Sequence, residues 1–345
     1  MTQEKKYIQE QKHKIDEIYQ KIDVFTQIKV LVIGDIMIDA YQFGKIDRIS
    51  PEAPVPVFVP EKEEKRLGGA ANVVQNLIGL GAQVFLASVI GGDQNGKILQ
   101  QLFPATLNAS LVVDPQRKTT CKTRLIAQGQ QILRIDEEDT ADIHPDTALH
   151  LLERIKNFCY QQKIDVVILQ DYNKGLFTEN FIRELLRFFK EKNIKVAVDP
   201  KKKNFLMYQN VDLFKPNLKE LKEALDEHQP TRTLADFLNL IKHLEQKIHP
   251  KNTLLTLSEH GILMKTPTHH HYFPAADIDV VDVSGAGDTV ISLAALALAA
   301  GFSPDEIAEW SNLAGGWACG KMGVVAITAG DLKKMLKDKK IHALA

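Results

Sequence analysis

The chain has 345 residues, 44% hydrophobic and 25% charged, a globular balance that excludes a disordered, collagen-like or fibrous protein. Its 43 basic and 44 acidic side chains leave a formal charge of −1, so no global attraction draws it to nucleic acid or to an anionic membrane. A chain of this length buries roughly three-quarters of its unfolded surface, and needs neither metal nor disulfide to hold its core.

Residues 1–28 open polar, without an apolar signal segment. Within them Ile15, Ile18, Tyr19 and Ile22 fall on one helical face, which predicts a helical extension docked on its own domain. From Lys29 the pattern changes. Lys29–Gly34 is a continuous apolar run ending in glycine, as expected of a strand buried on both faces. Similar runs cover Val84–Ile90, Ile164–Leu169, Ile194–Val198, Val211–Phe214 and Thr253–Leu257. Helical stretches separate most of them, at Ala70–Leu80, Gly96–Phe103, Asp146–Tyr160, Glu179–Lys192, Leu218–Asp226 and Leu234–Lys247. The alternation predicts an α/β domain over 29–345, a doubly wound, mostly parallel sheet with helices on both faces. Ligands of such sheets sit beyond the carboxyl ends of the strands.

Two stretches break the rhythm. Pro54–Pro60 must be extended, because proline excludes helix. Thr119–Gln128 and Gln131–Asp136 alternate around Gly129 like a hairpin. Together they predict a small β-sheet lid drawn from about 40–60 and 110–136. The alternation of Val55, Val57 and Val59 suits an edge strand that pairs with a second copy, so a homodimer through the lid strands is expected. The three cysteines, Cys121, Cys159 and Cys319, are far apart with no Cys-x-x-Cys, which points to a reducing cytoplasm. The apolar run Val290–Ala300 is too short to span a bilayer. His269-His270-His271 has no ligand partner at metal spacing and reads as surface.

The chemistry is concentrated in Asp282-Val-Ser-Gly-Ala-Gly-Asp288. A glycine-rich turn running into an apolar helix can aim backbone N–H groups at one point, where the helix dipole adds positive charge; this suits a phosphate. Asp288 falls at the helix start, as an N-cap or a base. The turn is neither a Walker A loop, which needs Gly-Lys-Ser/Thr, nor the strand–GxGxxG–helix of a nicotinamide oxidoreductase. Earlier, Asp35 and Asp39 follow the first buried strand, and Gly68-Gly69-Ala-Ala-Asn72 opens a helix. Carboxylates and an amide suit sugar hydroxyls, and the glycines admit close backbone approach.

These two elements, in this order and spacing, resemble the two signatures of the ribokinase-like (PfkB) carbohydrate kinase family, and the likeness runs from about Lys29 to Leu336. Arg48-Ile-Ser-Pro-Glu-Ala-Pro-Val-Pro56, Leu133–Glu138, Asp171-Tyr-Asn-Lys-Gly175, Asp199-Pro-Lys201 and Lys215–Glu220 resemble its heptose-phosphate kinase branch most. The resemblance implies ATP-dependent phosphorylation of a sugar hydroxyl, the anomeric one of a heptose 7-phosphate. It implies Asp288 as general base and the amides of Gly285, Ala286 and Gly287 around the transferring phosphoryl. It further implies sugar contacts from Asp35, Asp39, Gly68, Gly69 and Asn72, with Arg134 and Lys174 on anionic groups. Asn217 and Glu220 would organise Mg²⁺, Glu220 as its carboxylate, and Ser258, Gly261 and Asn312 would line the nucleotide cleft; a monovalent cation is also compatible. Another sugar or nucleoside kinase of the family, or a non-catalytic sugar sensor on the same fold, are the competing readings. Ser284 stands where threonine is more usual, and Lys219 where the branch often has serine. No His-x-Gly-His motif of a nucleotidyltransferase occurs.

Overall fold

The computed structural model describes residues 15–276 and 278–342, with side chains to residue 338. Residues 1–14 of the expected extension therefore lie outside the described residues. The first helix, α1, spans 15–23, and Ile18 and Ile22 pack into the core together with Phe25. Lys21 pairs with Glu306 and Asp23 with Lys333, which pins its polar side to the body.

Among the described residues, nine strands form the large sheet. They are β1 (Lys29–Gly34), β4 (Gln83–Gly91), β5 (Asn108–Asp114), β8 (Val166–Gln170), β9 (Lys195–Asp199), β10 (Leu213–Phe214), β11 (Thr253–Thr256), β12 (Ile262–Lys265) and β13 (His270–Phe273). Their order is β13-β12-β11-β10-β9-β8-β1-β4-β5. The pairings from β5 through β11 are parallel, and β12 and β13 close the edge antiparallel. A central parallel strand must bury both faces, and β1 divides its residues accordingly. Val30 and Val32 join one core, Leu31 and Ile33 the other. The first core holds α2 (Ala70–Gly79), α8 (Ala286–Ala299) and α9 (Pro304–Cys319); α10 (Ala329–His342) reaches it through Leu332 and Leu336. The second holds α4 (Pro145–Gln161), α5 (Glu179–Glu191) and α7 (Leu234–Ile248), with α6 (Leu218–Ala224) packing through Leu221. The remaining helix, α3 (Gln94–Leu102), buries Leu99 against the first core. Apolar all round, α8 is enclosed by protein, and no described helix is long and apolar enough to cross a membrane.

The order of strand addition reverses at β1, whose parallel neighbours are β4 on one side and β8 on the other. Such a switch point opens a crevice beyond the carboxyl ends of the strands. From that edge rises the second sheet, β3-β2-β6-β7, made of β2 (Ile36–Ile49), β3 (Pro56–Gly69), β6 (Cys121–Ala127) and β7 (Gln130–Glu137). The β6–β7 turn has Gln128 and Gly129 at φ 51° and 76°, the left-handed pair that suits a tight hairpin. Residues 110–114, within the span expected to feed the small sheet, instead continue β5 beside β4. Its Val112 is buried against the main core, a stronger pull than that of a half-exposed ribbon.

Register sorts the small sheet's faces. Asp39 sits opposite Arg66 and Lys122, Tyr41 opposite Arg124, and Arg124 opposite Arg134. This charged face looks inward: a Cβ built on Gly323 would meet the Arg66 guanidinium at 2.8 Å. Leu133 and Ile135 alternate onto the outer face, where they are about half exposed.

Candidate active site

The glycine turn sits at the mouth of the crevice. Gly285 caps α8 at φ 81°, a left-handed backbone in which a side chain is strained. A Cβ there would press to 3.1 Å from the Asn72 amide. The Ala286 N–H bends back on the Val283 carbonyl at 3.3 Å, so it is partly spent within the turn. Asp288 is the third residue of α8 and does not cap it; Gly285 holds that position.

Instead the Asp288 carboxylate is buried and turned inward. Its Oδ2 accepts from Asn72 Nδ2 at 2.7 Å; its Oδ1 accepts from the Tyr172 hydroxyl at 2.5 Å and from Gln170 Nε2 at 3.3 Å. Burial pushes its pKa up to about 6, with the Asp199 carboxylate adding to the rise; the Tyr172 and Asn72 donors hold it down. Lys215 and Asp199 form a buried ion pair at 3.1 Å. The lysine ammonium lies 3.7 Å from where Gly287 would carry a Cβ. A positive charge and a bare backbone thus face the same space as the base.

Asp35 follows β1 at the switch point. Its Oδ2 accepts from the Tyr172 and Lys174 backbone amides at 2.9 and 3.3 Å. Burial, and then the Asp171 carboxylate, raise its pKa to about 6. The glycine pair exists for these acids. A Cβ on Gly68 would lie 2.2 Å from Asp39 Oδ2, and one on Gly69 2.5 Å from the Asp35 carbonyl. Asp39 is paired with Arg124 across the sheet. Asp35, Asp39, Asn72 and Asp288 are all 6% exposed or less, a cluster of acceptors with one amide.

On the other side of Asp288 opens a cleft of about 780 Å³, bounded by Lys215, Asn217, Glu220, Ser258, Gly261 and Asn312. Asn217 and Glu220 cap α6 reciprocally: each side chain accepts the other's backbone N–H, at 2.8 and 2.9 Å. The second Glu220 oxygen pairs with Lys201. On α9, Asn312 donates to the Pro274 carbonyl at 2.7 Å and fixes the cleft's far wall. Base and glycine turn therefore stand between the buried acids at the foot of the small sheet and the cleft, which Lys201 and Lys215 also line.

The model of the pfkB family carbohydrate kinases matches residues 27–329, across the buried acids and the cleft alike. The chain belongs to that family. The kinase is 38% identical over 310 residues to the D-beta-D-heptose 7-phosphate kinase of Bordetella bronchiseptica, covering 89% of this chain and 96% of that protein. It is 40% identical over 321 residues to the bifunctional protein HldE of Campylobacter jejuni subsp. doylei, covering 91% of this chain and 67% of that longer protein. The fold matches phosphofructokinase-2 from Escherichia coli, crystallised with potassium, at TM-score 0.75 and 19% identity, over 89% of this chain and 97% of that one. As a carbohydrate kinase it transfers phosphate to a sugar hydroxyl.

Two expected cationic side chains are occupied by carboxylates of the chain itself. Arg134 is half exposed and tied to Asp136 at 2.8 and 2.9 Å. It shares the inward face with Arg124, yet lies on the outermost strand. Lys174 is well covered and pairs with Glu138 at 2.7 Å. Lys122 also reaches Asp136 and Glu138, so three cations share two carboxylates there. Tyr172, Gln170, Asp199, Lys215 and Arg124 contact the site without having been assigned a role from the sequence. A signal for four of them exists: each follows or ends a strand whose interior is apolar, where a polar side chain emerges at the ligand edge.

Proposed function

We propose that this kinase moves the γ-phosphoryl of ATP to C1 of D-glycero-β-D-manno-heptose 7-phosphate, giving the 1,7-bisphosphate on the way to ADP-heptose. The observation that carries the reading is near end-to-end similarity to a protein named for the heptose phosphate, together with a buried, donor-held carboxylate at the phosphate-binding turn. Asp288 takes the proton of the attacking hydroxyl. Asp35, Asp39, Gly68, Gly69 and Asn72 hold the sugar, the glycines by leaving room for the Asp39 carboxylate and the Asp35 backbone. Amides of the Gly285–Gly287 turn and the ammonium of Lys215 balance charge on the phosphoryl group. Lys174, Arg134 and Lys122 exchange Asp136 and Glu138 for the distal sugar phosphate.

The larger cleft takes the nucleotide, with Ser258, Gly261 and Asn312 on its walls. Among the described residues no three His, Cys, Asp or Glu side chains are placed to hold a metal. Glu220, already engaged by its cap and Lys201, fits Mg²⁺ held through water and phosphate rather than by a protein cage. Bound there, the ion neutralises phosphate charge. The small sheet covers the sugar and keeps water from the phosphoryl group. Its apolar outer face pairs with a second copy, and the three unpaired cysteines suit a reducing cytoplasm.

Incubation with ATP, magnesium and a panel of free and phosphorylated sugars, with products identified by mass and NMR, tests the assignment. The 1,7-bisphosphate should dominate; preference for an unphosphorylated sugar or a nucleoside would replace heptose phosphate as the substrate. Sugar binding without ADP release would make the protein a sensor.

A further inference from the structure

We infer that Tyr172 is a positioning residue that holds the base in its reactive orientation and presents Oδ2 of Asp288 to the sugar. The inference rests on the assignment of Asp288 as base. Tyr172 reaches both working carboxylates of the sugar pocket. Its backbone N–H donates to Asp35 Oδ2 at 2.9 Å and its hydroxyl to Asp288 Oδ1 at 2.5 Å. One residue at the carboxyl end of β8 thereby sets the spacing between a sugar-binding acid and the base. The hydroxyl–carboxylate distance is that of a charge-assisted bond.

Counting acceptor positions identifies the reactive atom. A carboxylate offers about four lone-pair sites. Oδ1 of Asp288 is filled by Tyr172 and Gln170, and among the described residues Oδ2 accepts only from Asn72. The remaining position is on Oδ2. When the sugar reacts, its O–H bond breaks and the proton passes to Oδ2. The freed electron pair forms the new bond to phosphorus as the bond to the departing ADP oxygen breaks. Among the described residues, Asp199 on β9, Lys215 after β10 and Lys201 beyond β9 are charges that face Asp288; Asn72 on α2 and Gln170 on β8 are neutral. Burial and the nearby Asp288 and Asp199 carboxylates push the Tyr172 phenol well above its ordinary range. It therefore remains a donor wherever the base titrates.

The test uses two substitutions of opposite sign. Tyr172→Phe removes the donor and should move the acid limb of the kcat/KM–pH profile up by about 0.5–1 unit. Its activity should fall several-fold below the limb and converge on the wild type at high pH. Installing 3-fluorotyrosine at Tyr172 keeps the shape but strengthens the donor, and should move the limb down. Unshifted limbs in both proteins, or a loss in Tyr172→Phe that is the same at every pH, would overturn the inference. A structure with bound sugar should place the reacting hydroxyl on Oδ2; contact with Oδ1 would overturn the orientation. Carboxyl-carbon NMR titration of Asp288 without substrate reads the same upward shift in Tyr172→Phe. Absence of turnover in the wild type would therefore count against the kinase reading alone.

Discussion

Asp288 combines a cost and a use. Enclosed by α2, β8 and the start of α8, it titrates near pH 6, which leaves it ionised at neutral pH but a better proton acceptor than an exposed aspartate. Turnover should accordingly fall as pH drops through about 6, and a pH–rate profile checks this. Asp288→Asn should lower kcat by about 10²–10⁴-fold while the fold persists. The sign for stability follows from the same shift. A carboxyl whose folded pKa lies above its unfolded value favours the fold while protonated and loses that contribution as pH rises through the folded pKa. The unfolding free energy of the wild type, relative to Asp288→Asn, should therefore decline by about 2 kcal/mol from pH 4 to pH 7; chemical denaturation at both pH values measures it. Gly285 makes a different point. At φ 81°, with 3.1 Å to Asn72 and 3.4 Å to Val324, Gly285→Ala should cost about 1–2 kcal/mol. It should also slow phosphoryl transfer, because the strain falls on the turn that faces the base.

At the scale of elements, strand identity was legible and strand partnership only in part. The six expected helices appear within a few residues of their bounds, since 3.6-residue periodicity is local. The β6–β7 hairpin also appears where the Gln128-Gly129 pair places it. Residues 110–114, expected within the span that feeds the small sheet, went to the larger one, because a short apolar run does not name its neighbour. The same holds for side chains on the small sheet. Arg134 is tied to Asp136 two residues on, while Arg124 on the adjacent strand, to which no motif points, holds the buried Asp39. Arg124→Ala should leave Asp39 uncompensated and raise the KM for sugar about tenfold, a loss of roughly 1.4 kcal/mol, with a smaller effect on kcat. Steady-state kinetics with sugar varied at saturating ATP separates the two.

At the scale of the molecule, the small sheet leaves Leu133 and Ile135 outward on β7, 53% and 47% exposed, with Ile132 at 44% beside them. Neighbouring apolar side chains of this size on a sheet edge are a surface to be covered. Leu133→Asp with Ile135→Asp should convert a sedimenting dimer into a monomer. A wild type that already sediments as a monomer would remove the small sheet as an interface.

The sequence by itself determined which segments are strands and helices, the glycine turn before α8, and the two signature elements that identify a carbohydrate kinase. All of these are encoded within a few residues of themselves. The tertiary structure decided who meets whom. Asn72 and Tyr172 reach Asp288 across 216 and 116 residues, and Lys215 reaches Asp199 across two strand ends. Those contacts depend on strand order and register, which are set by burying both faces of one sheet at once. Local composition carries the period of an element but not the identity of the strand beside it.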